Sequence, residues 1–138
     1  MVSQKEDLKF GTASEENNKA AVEALAVEPM IWRGGYSLFD YCNKECTIYV
    51  ELKTRRIAHD DYGTALIGKN KVDFCCDDTK KYYFMFSYTD GNYFIKYSKD
   101  LFNSFDTNDS YKRGERNDCV NRADYIMLIP TELLVKLE

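Results

Sequence analysis

The stretch TIYVELKTRR, residues 47–56, sets the reading of this chain. Ile48, Val50 and Leu52 alternate with Tyr49, Glu51 and Lys53, which is the period-two signature of a β-strand with one apolar face. The other face carries a carboxylate and an ammonium two positions apart, and the strand runs out into Arg55 and Arg56. A strand face turned to water accounts for such residues by itself, so the decision rests on what the neighbouring segments place beside them.

Upstream, YSLFDYC (residues 36–42) reads as a strand, and Asn43-Lys44-Glu45 reads as the turn that folds it back onto residues 47–53 as an antiparallel hairpin. Asp40 precedes Glu51 by eleven residues. If the register sets Asp40 against an odd-numbered residue such as Tyr49 or Glu51, both carboxylates share one face. Two carboxylates that close, and partly desolvated, repel unless a cation lies between them. Oxygen atoms from Asp40, Glu51 and the Leu52 backbone carbonyl suit Mg²⁺, which takes few protein ligands and keeps several waters.

Further out, Thr12 and Glu15 stand in capping-box spacing, which predicts a helix to about residue 26 with Ala21, Val22 and Leu25 facing inward, closed by Pro29. MIWR (residues 30–33) reads as a short strand before the Gly34-Gly35 turn. Residues 64–76 read as mainly helical, although Gly68 and the β-branched residues weaken that pattern. KYYFMFSYT and NYFIKYS are aromatic strands joined by Asp90-Gly91, a hairpin turn. KDLFNSF reads as a helical turn, DTNDSYKRGERND as a polar loop, and ADYIMLIP as a last strand stopped at Pro130. TELLVKLE reads as a closing helix capped by Thr131. The sum is an α/β (α+β) core with a mixed sheet.

The 138 residues suit a single domain over 1–138, with 1–11 expected to be poorly ordered, and the 44% hydrophobic content supports a folded core. No apolar run reaches the roughly 20 residues of a membrane span, and MVSQKEDLKF has no signal-like apolar region. The expectation is a soluble intracellular protein, in the cytoplasm or nucleus of a cell or infected host. A net charge of −4 gives no overall basic footprint, but Lys53, Arg55 and Arg56, then Lys69 and Lys71, then Lys112, Arg113 and Arg116 form local basic groups. The five cysteines, an odd number, read as free thiols rather than a disulfide framework. Their C-x3-C and adjacent Cys75-Cys76 spacings depart from those usual for zinc. The Tyr and Phe of residues 82–97 read as sheet core, Glu23 as solvated, and His59 as an exposed loop residue.

Taken together, D-x10-E-L-K across a hairpin, the preceding FGTASEENNKAAVEAL, the following DDYGTALIGKNKVD and the ending YIMLIPTELLVKL resemble the PD-(D/E)XK nuclease superfamily. The likeness is to small nuclease-like proteins of phages and large DNA viruses, and it covers most of the chain from about residue 10. Phe39 stands where the superfamily often has proline, and the second helix lacks the glutamine some branches use. The resemblance implies a restriction-endonuclease-like core, a mixed central β-sheet flanked by helices. It also implies a Mg²⁺-dependent DNA endonuclease, with Mn²⁺ able to substitute, catalytic Asp40, Glu51 and Lys53, and Glu15 or Glu16 assisting. The metal would be held by Asp40, Glu51 and the Leu52 carbonyl, and Lys53 would hold or deprotonate the attacking water. Arg55, Arg56, Tyr62, Thr64, Lys69 and Lys71 would meet the nucleic acid. WRGGYSLFD with IYVELK resembles the small archaeal-type Holliday junction resolvases, which implies a homodimer acting on duplex or branched DNA. The alternatives are a non-catalytic nucleic-acid-binding or protein-interaction module on the same fold, and an enzyme directed at RNA or a small molecule.

Overall fold

The computed structural model describes residues 18–33, 37–108 and 126–137. Residues 18–26 are helical (α1). Among the described residues nine strands follow: β1 (Ile31–Trp32), β2 (Tyr41–Cys42), β3 (Ile48–Thr54), β4 (Thr64–Gly68), β5 (Lys81–Tyr88), β6 (Gly91–Lys96), β7 (Thr107–Asn108), β8 (Ile126–Pro130) and β9 (Val135–Lys136). Two short helices, α2 (Lys69–Phe74) and α3 (Lys99–Asn103), and a 3₁₀ turn at Thr131–Leu133 complete the elements of the described residues. The class is mixed α and β, as expected. The proposed start of α1 at Thr12 and Glu15, the tail 1–11, the basic residues 112–116 and Cys119 all lie outside the described residues.

The strands form a mixed six-stranded sheet in the order β1-β2-β3-β5-β6-β9 and a three-stranded sheet in the order β4-β8-β7. β1, β2 and β3 make an antiparallel meander, after which the chain crosses through β4 and α2 to lay β5 parallel to β3. Such a parallel pairing needs a crossover, and the 26 residues between Thr54 and Lys81 provide it. The Asp90-Gly91 turn pairs β5 with β6 as expected, Gly91 taking a φ of 143° that its missing Cβ permits.

Two apolar clusters lie on opposite faces of the large sheet. Ile48, Val50, Leu52 and Met85 pack against Ala21, Val22, Leu25 and Ala26 of α1. On the other face Phe39, Tyr82, Phe84, Phe86 and Ile95 pack against Ala65 and Ile67 of β4, Val72 of α2, Phe102 of α3 and Met127 and Ile129 of β8. The aromatic residues of β5 and β6 are therefore core, as the sequence indicates.

Four expectations are corrected. Residues 64–68 are a strand, since Ala65 and Ile67 alternate inward and pair with β8, and only Lys69–Phe74 is helical. The ending is a 3₁₀ turn and strand β9, which pairs with β6. Thr131 makes no capping bond there; its hydroxyl donates to the Tyr62 carbonyl at 3.1 Å. Of the described residues 37–42 only Tyr41–Cys42 is strand, because residues 37–40 bend, while the Gly34-Gly35 turn and Tyr36 lie outside the described residues. Glu23 is not simply solvated: its carboxylate accepts the Met30 N–H at 2.9 Å, tying α1 to the approach to β1. Among the described residues no helix is long and apolar enough to cross a membrane.

Candidate functional site

The site begins with a turn. Asn43 is buried, and its side-chain oxygen accepts the N–H groups of Thr47 and Ile48 at 2.8 and 3.1 Å, while its amide donates to Glu28 and Thr47. This pins the β2–β3 turn and hence its register, Tyr41 opposite Val50 and Cys42 opposite Tyr49. Asn43 N–H bonds the Ile48 carbonyl at 3.1 Å, which makes that pair hydrogen-bonded. Counting alternately along the antiparallel ladder, Asp40 and Glu51 meet at a non-hydrogen-bonded position, where side chains approach most closely. The backbone of Asp40 turns the other way, its carbonyl accepting the Arg33 N–H at 2.7 Å.

Beyond Tyr41 the chain bends, and the next β3 N–H on this edge, that of Leu52, is met by Asp40 Oδ2 at 2.9 Å. The carboxylate thus takes the place of a strand carbonyl. In extended backbone one residue's N–H and C=O point to the same edge, so the Leu52 carbonyl faces the edge where Asp40 lies. Phe39, fully buried with its ring 5.4 Å from Phe84 and 5.5 Å from Phe74, anchors the bend on which Asp40 sits.

Glu51 is not on a solvated face. It is only 2% exposed, because the layer formed by β4, β8 and the short helices covers its side of the sheet. Burial first, and then the adjoining Asp40 carboxylate, push its carboxyl up to about 7 against the pull of the Lys71 ammonium. Lys71 Nζ lies 3.1 Å from Glu51 Oε2 and also donates to the Leu38 carbonyl. Glu51 Oε1 is buried and has no hydrogen-bond partner among the described residues.

The remaining expected residues are dispersed. Lys53, half-buried, follows Glu51 by two positions and so projects from the same face of β3. Arg55 and Arg56 are exposed just past the strand end, where Arg55 N–H continues the ladder to the Ser87 carbonyl. Arg55, Tyr62 and Thr64 line a cleft of about 250 Å³ with Ile57, Ala65, Leu66 and Tyr88. Lys69 pairs with Asp73 on its own helix at 2.8 Å. Lys71, expected among the nucleic-acid contacts, reaches into the carboxylate site. Glu15 lies outside the described residues.

Two features escape the sequence reading. The Lys71–Glu51 contact joins residues twenty apart across a strand-to-helix switch that the pattern misassigns, and no local signal marks it. His59 is not a free loop residue: its ring stacks on Tyr93 at 4.0 Å and 6°, its Nε2 meets the Thr131 carbonyl at 2.8 Å, and its backbone N–H donates to Asp90. It fastens the loop that carries Arg55 and Tyr62 to β6 and to the closing turn.

Among the described residues no group of three or more His, Cys, Asp and Glu side chains gathers to hold a metal. What the site offers is two carboxylates and a backbone carbonyl, all hard oxygen donors, with one buried carboxylate oxygen unpartnered. That donor set fits Mg²⁺, which completes its octahedron with water, better than Zn²⁺, whose structural sites favour thiolate and imidazole. The thiols lie elsewhere: Cys42 and Cys46 are 3.9 Å apart at the β2–β3 turn, and Cys75, its thiol pushed far up by burial, closes α2. No model of a known protein family matches the chain, and no curated protein matches it.

Proposed function

We propose that the protein is a Mg²⁺-dependent DNA endonuclease on a restriction-endonuclease-like core. One observation carries the reading: Asp40, in the bend just before β2, and Glu51 of β3 bring their carboxylates together, with Glu51 Oε1 buried and unpartnered among the described residues. A buried, ionised Glu51 beside a second carboxylate is costly unless positive charge offsets both; Lys71 supplies one charge, and a divalent ion would supply two. The architecture lends support, since a mixed sheet that pairs β1, β2 and β3 antiparallel and β5 parallel to β3 is compatible with the mixed central sheet the resemblance implies.

Asp40, Glu51 and the Leu52 carbonyl would hold Mg²⁺ or Mn²⁺, which supplies Lewis-acid polarisation of a phosphodiester and activation of a water. Asp40 has a second task, fixing the Leu52 amide and with it the direction of the adjoining carbonyl. Lys53 holds the attacking water or takes its proton, and balances charge developing on the phosphate oxygens. Arg55 and Arg56 meet neighbouring phosphates and position the substrate without reading its sequence. Tyr62 and Thr64, which line a cleft with Arg55, meet the nucleic acid there, and Lys69, at the start of α2, meets it separately. A four-way junction fits a homodimer that holds two such sites at a fixed separation.

A second reading is favoured by a specific contact. Lys71 already neutralises Glu51, so a non-catalytic nucleic-acid-binding or protein-interaction module could keep the acid as a structural ion pair. Cleavage separates the two. Plasmid, linear duplex, single-stranded DNA and a four-way junction are incubated with Mg²⁺ or Mn²⁺ and the wild-type protein, Glu51→Ala or Lys53→Ala. The nuclease reading predicts products from the wild type alone; equal products from all three, or none from any, contradict it. Cleavage confined to the junction selects the resolvase variant, and an RNA arm tests the sugar preference.

A further inference from the structure

We infer that Lys71 is the site's own resident cation, a gate that gives up Glu51 when a divalent ion binds. The inference rests on the metal-site reading above and adds a means of controlling it.

Lys71 stands apart from the other basic residues near the site. Lys69, two positions earlier on the same helix, makes an ordinary partly exposed pair with Asp73. The Lys71 side chain is 21% exposed and reaches inward to an acid whose side chain is only 3% exposed. Its second partner, the Leu38 carbonyl, belongs to the bend that carries Asp40. One ammonium therefore bridges α2, β3 and the Asp40 bend, so it touches both elements that supply the carboxylates.

The ammonium satisfies only part of what surrounds it. It reaches Oε2 of Glu51, while Oε1 stays buried without a partner among the described residues. A single positive charge beside two carboxylates leaves the pair under-neutralised, whereas a divalent ion matches their charge. Both cations draw on the same Glu51 carboxylate, and a divalent ion at Oε1 would repel the ammonium at Oε2 across a site with little water to screen it. Lys71 has the means to leave: an unbranched, flexible stem and a partly open path to water. The released ammonium stays near the mouth of the site, where a substrate phosphate would receive it.

Two consequences follow. Divalent affinity is reduced by the small fraction of time for which Lys71 is away from Glu51. A phosphate that draws Lys71 off strengthens metal binding, and by reciprocity the metal strengthens phosphate binding. Nucleic acid would then lower the metal concentration at which the site loads.

The test uses Mn²⁺ alone, in two arms. Calorimetric titration of Mn²⁺ compares the wild type with Lys71→Met, Lys71→Gln and Glu51→Gln. Lysine acylation of the wild type, read by mass spectrometry at Lys71 with Lys69 as internal reference, compares protein with and without Mn²⁺. The gate predicts about tenfold tighter Mn²⁺ binding in Lys71→Met and Lys71→Gln, loss in Glu51→Gln, and a several-fold faster Lys71 acylation on adding Mn²⁺ while Lys69 is unchanged. Equal Mn²⁺ affinity with and without the lysine, together with loss in Glu51→Gln, overturns the gate and leaves the metal site standing. Binding by none of the folded proteins removes the metal site and the gate together. Where the Lys71 variants do not fold, the acylation arm decides: a rate at Lys71 indifferent to saturating Mn²⁺ overturns the gate.

Discussion

The two faces of β3 obey the same alternation and do different work. Toward α1 it presents Ile48, Val50 and Leu52, an apolar stripe closed by Val22 and Leu25. Toward the second sheet it presents Tyr49, Glu51 and Lys53, and this face too is covered, so that Glu51 is as buried as the apolar residues behind it. One face is stabilised by burial alone. The other buries a carboxylate that shares its setting with a second acid and one ammonium, and its energy depends on protons and cations. A strand face that reads as solvated can thus be the costlier one when a second layer covers it.

The largest effect should come from removing the support of the charged face. Phe84 sits opposite Glu51 in the β3–β5 register, is fully buried, and has the rings of Phe39 and Phe102 within 5.4 and 5.6 Å. Phe84→Ala should cost about 3–5 kcal/mol in urea denaturation. A loss below about 1 kcal/mol would break the comparison, since the second layer would then not be packed as a core.

Next is the pH response. The Glu51 carboxyl titrates at about 7 in the folded chain against an ordinary 4.5, so the folded state holds its proton more tightly than the unfolded state. Stability should therefore be greatest below about pH 4.5 as far as this group is concerned, fall as pH rises towards 7, and stay lower above it. The contribution is at most about 3 kcal/mol. In chelator, the loss of stability between pH 5 and pH 8 should be shallower in Glu51→Gln than in wild type. Identical slopes would mean that the acid is solvated after all.

His59→Ala should cost about 1–2 kcal/mol, from the lost Tyr93 stack and the bond to the Thr131 carbonyl. Hydrogen exchange should quicken first at Thr89 and Thr131, whose amides bond the carbonyls of Ile57 and Gly63 in the fastened loop. Smallest for stability is Arg55→Ala, an exposed change expected within about 0.5 kcal/mol. Its effect should appear instead as weaker DNA retention, with a salt slope lower by about one.

Much of this arrangement is legible in the sequence where local chemistry decides it. The alternation of residues 48–53, the Asp90-Gly91 turn, the aromatic strands and the inward residues of α1 follow from period, turn propensity and side-chain type. The Asp40–Glu51 juxtaposition follows once the Asn43 turn fixes the register. Residues 64–76 resist such reading because TALIG and KNKVDF run together, with no side-chain cap bond marking the start of α2 and Gly68 extended rather than helical. What pairs β4 with β8 is a segment some sixty residues away. The burial of Glu51, its ion pair with Lys71 and the stacking of His59 depend on that same tertiary layer, so the chemistry of the site is legible in residue type and its environment is not.

The central claim is that Asp40 and Glu51 converge on a divalent ion. The most direct test is a crystal of the wild-type protein soaked in Mn²⁺, with an anomalous difference map calculated over the β2–β3 hairpin. The account predicts one peak in contact with the Asp40 and Glu51 carboxylates and the Leu52 carbonyl, with Lys71 displaced from Glu51. Saturating Mn²⁺ with no peak there, and Lys71 still seated on Glu51, would contradict it.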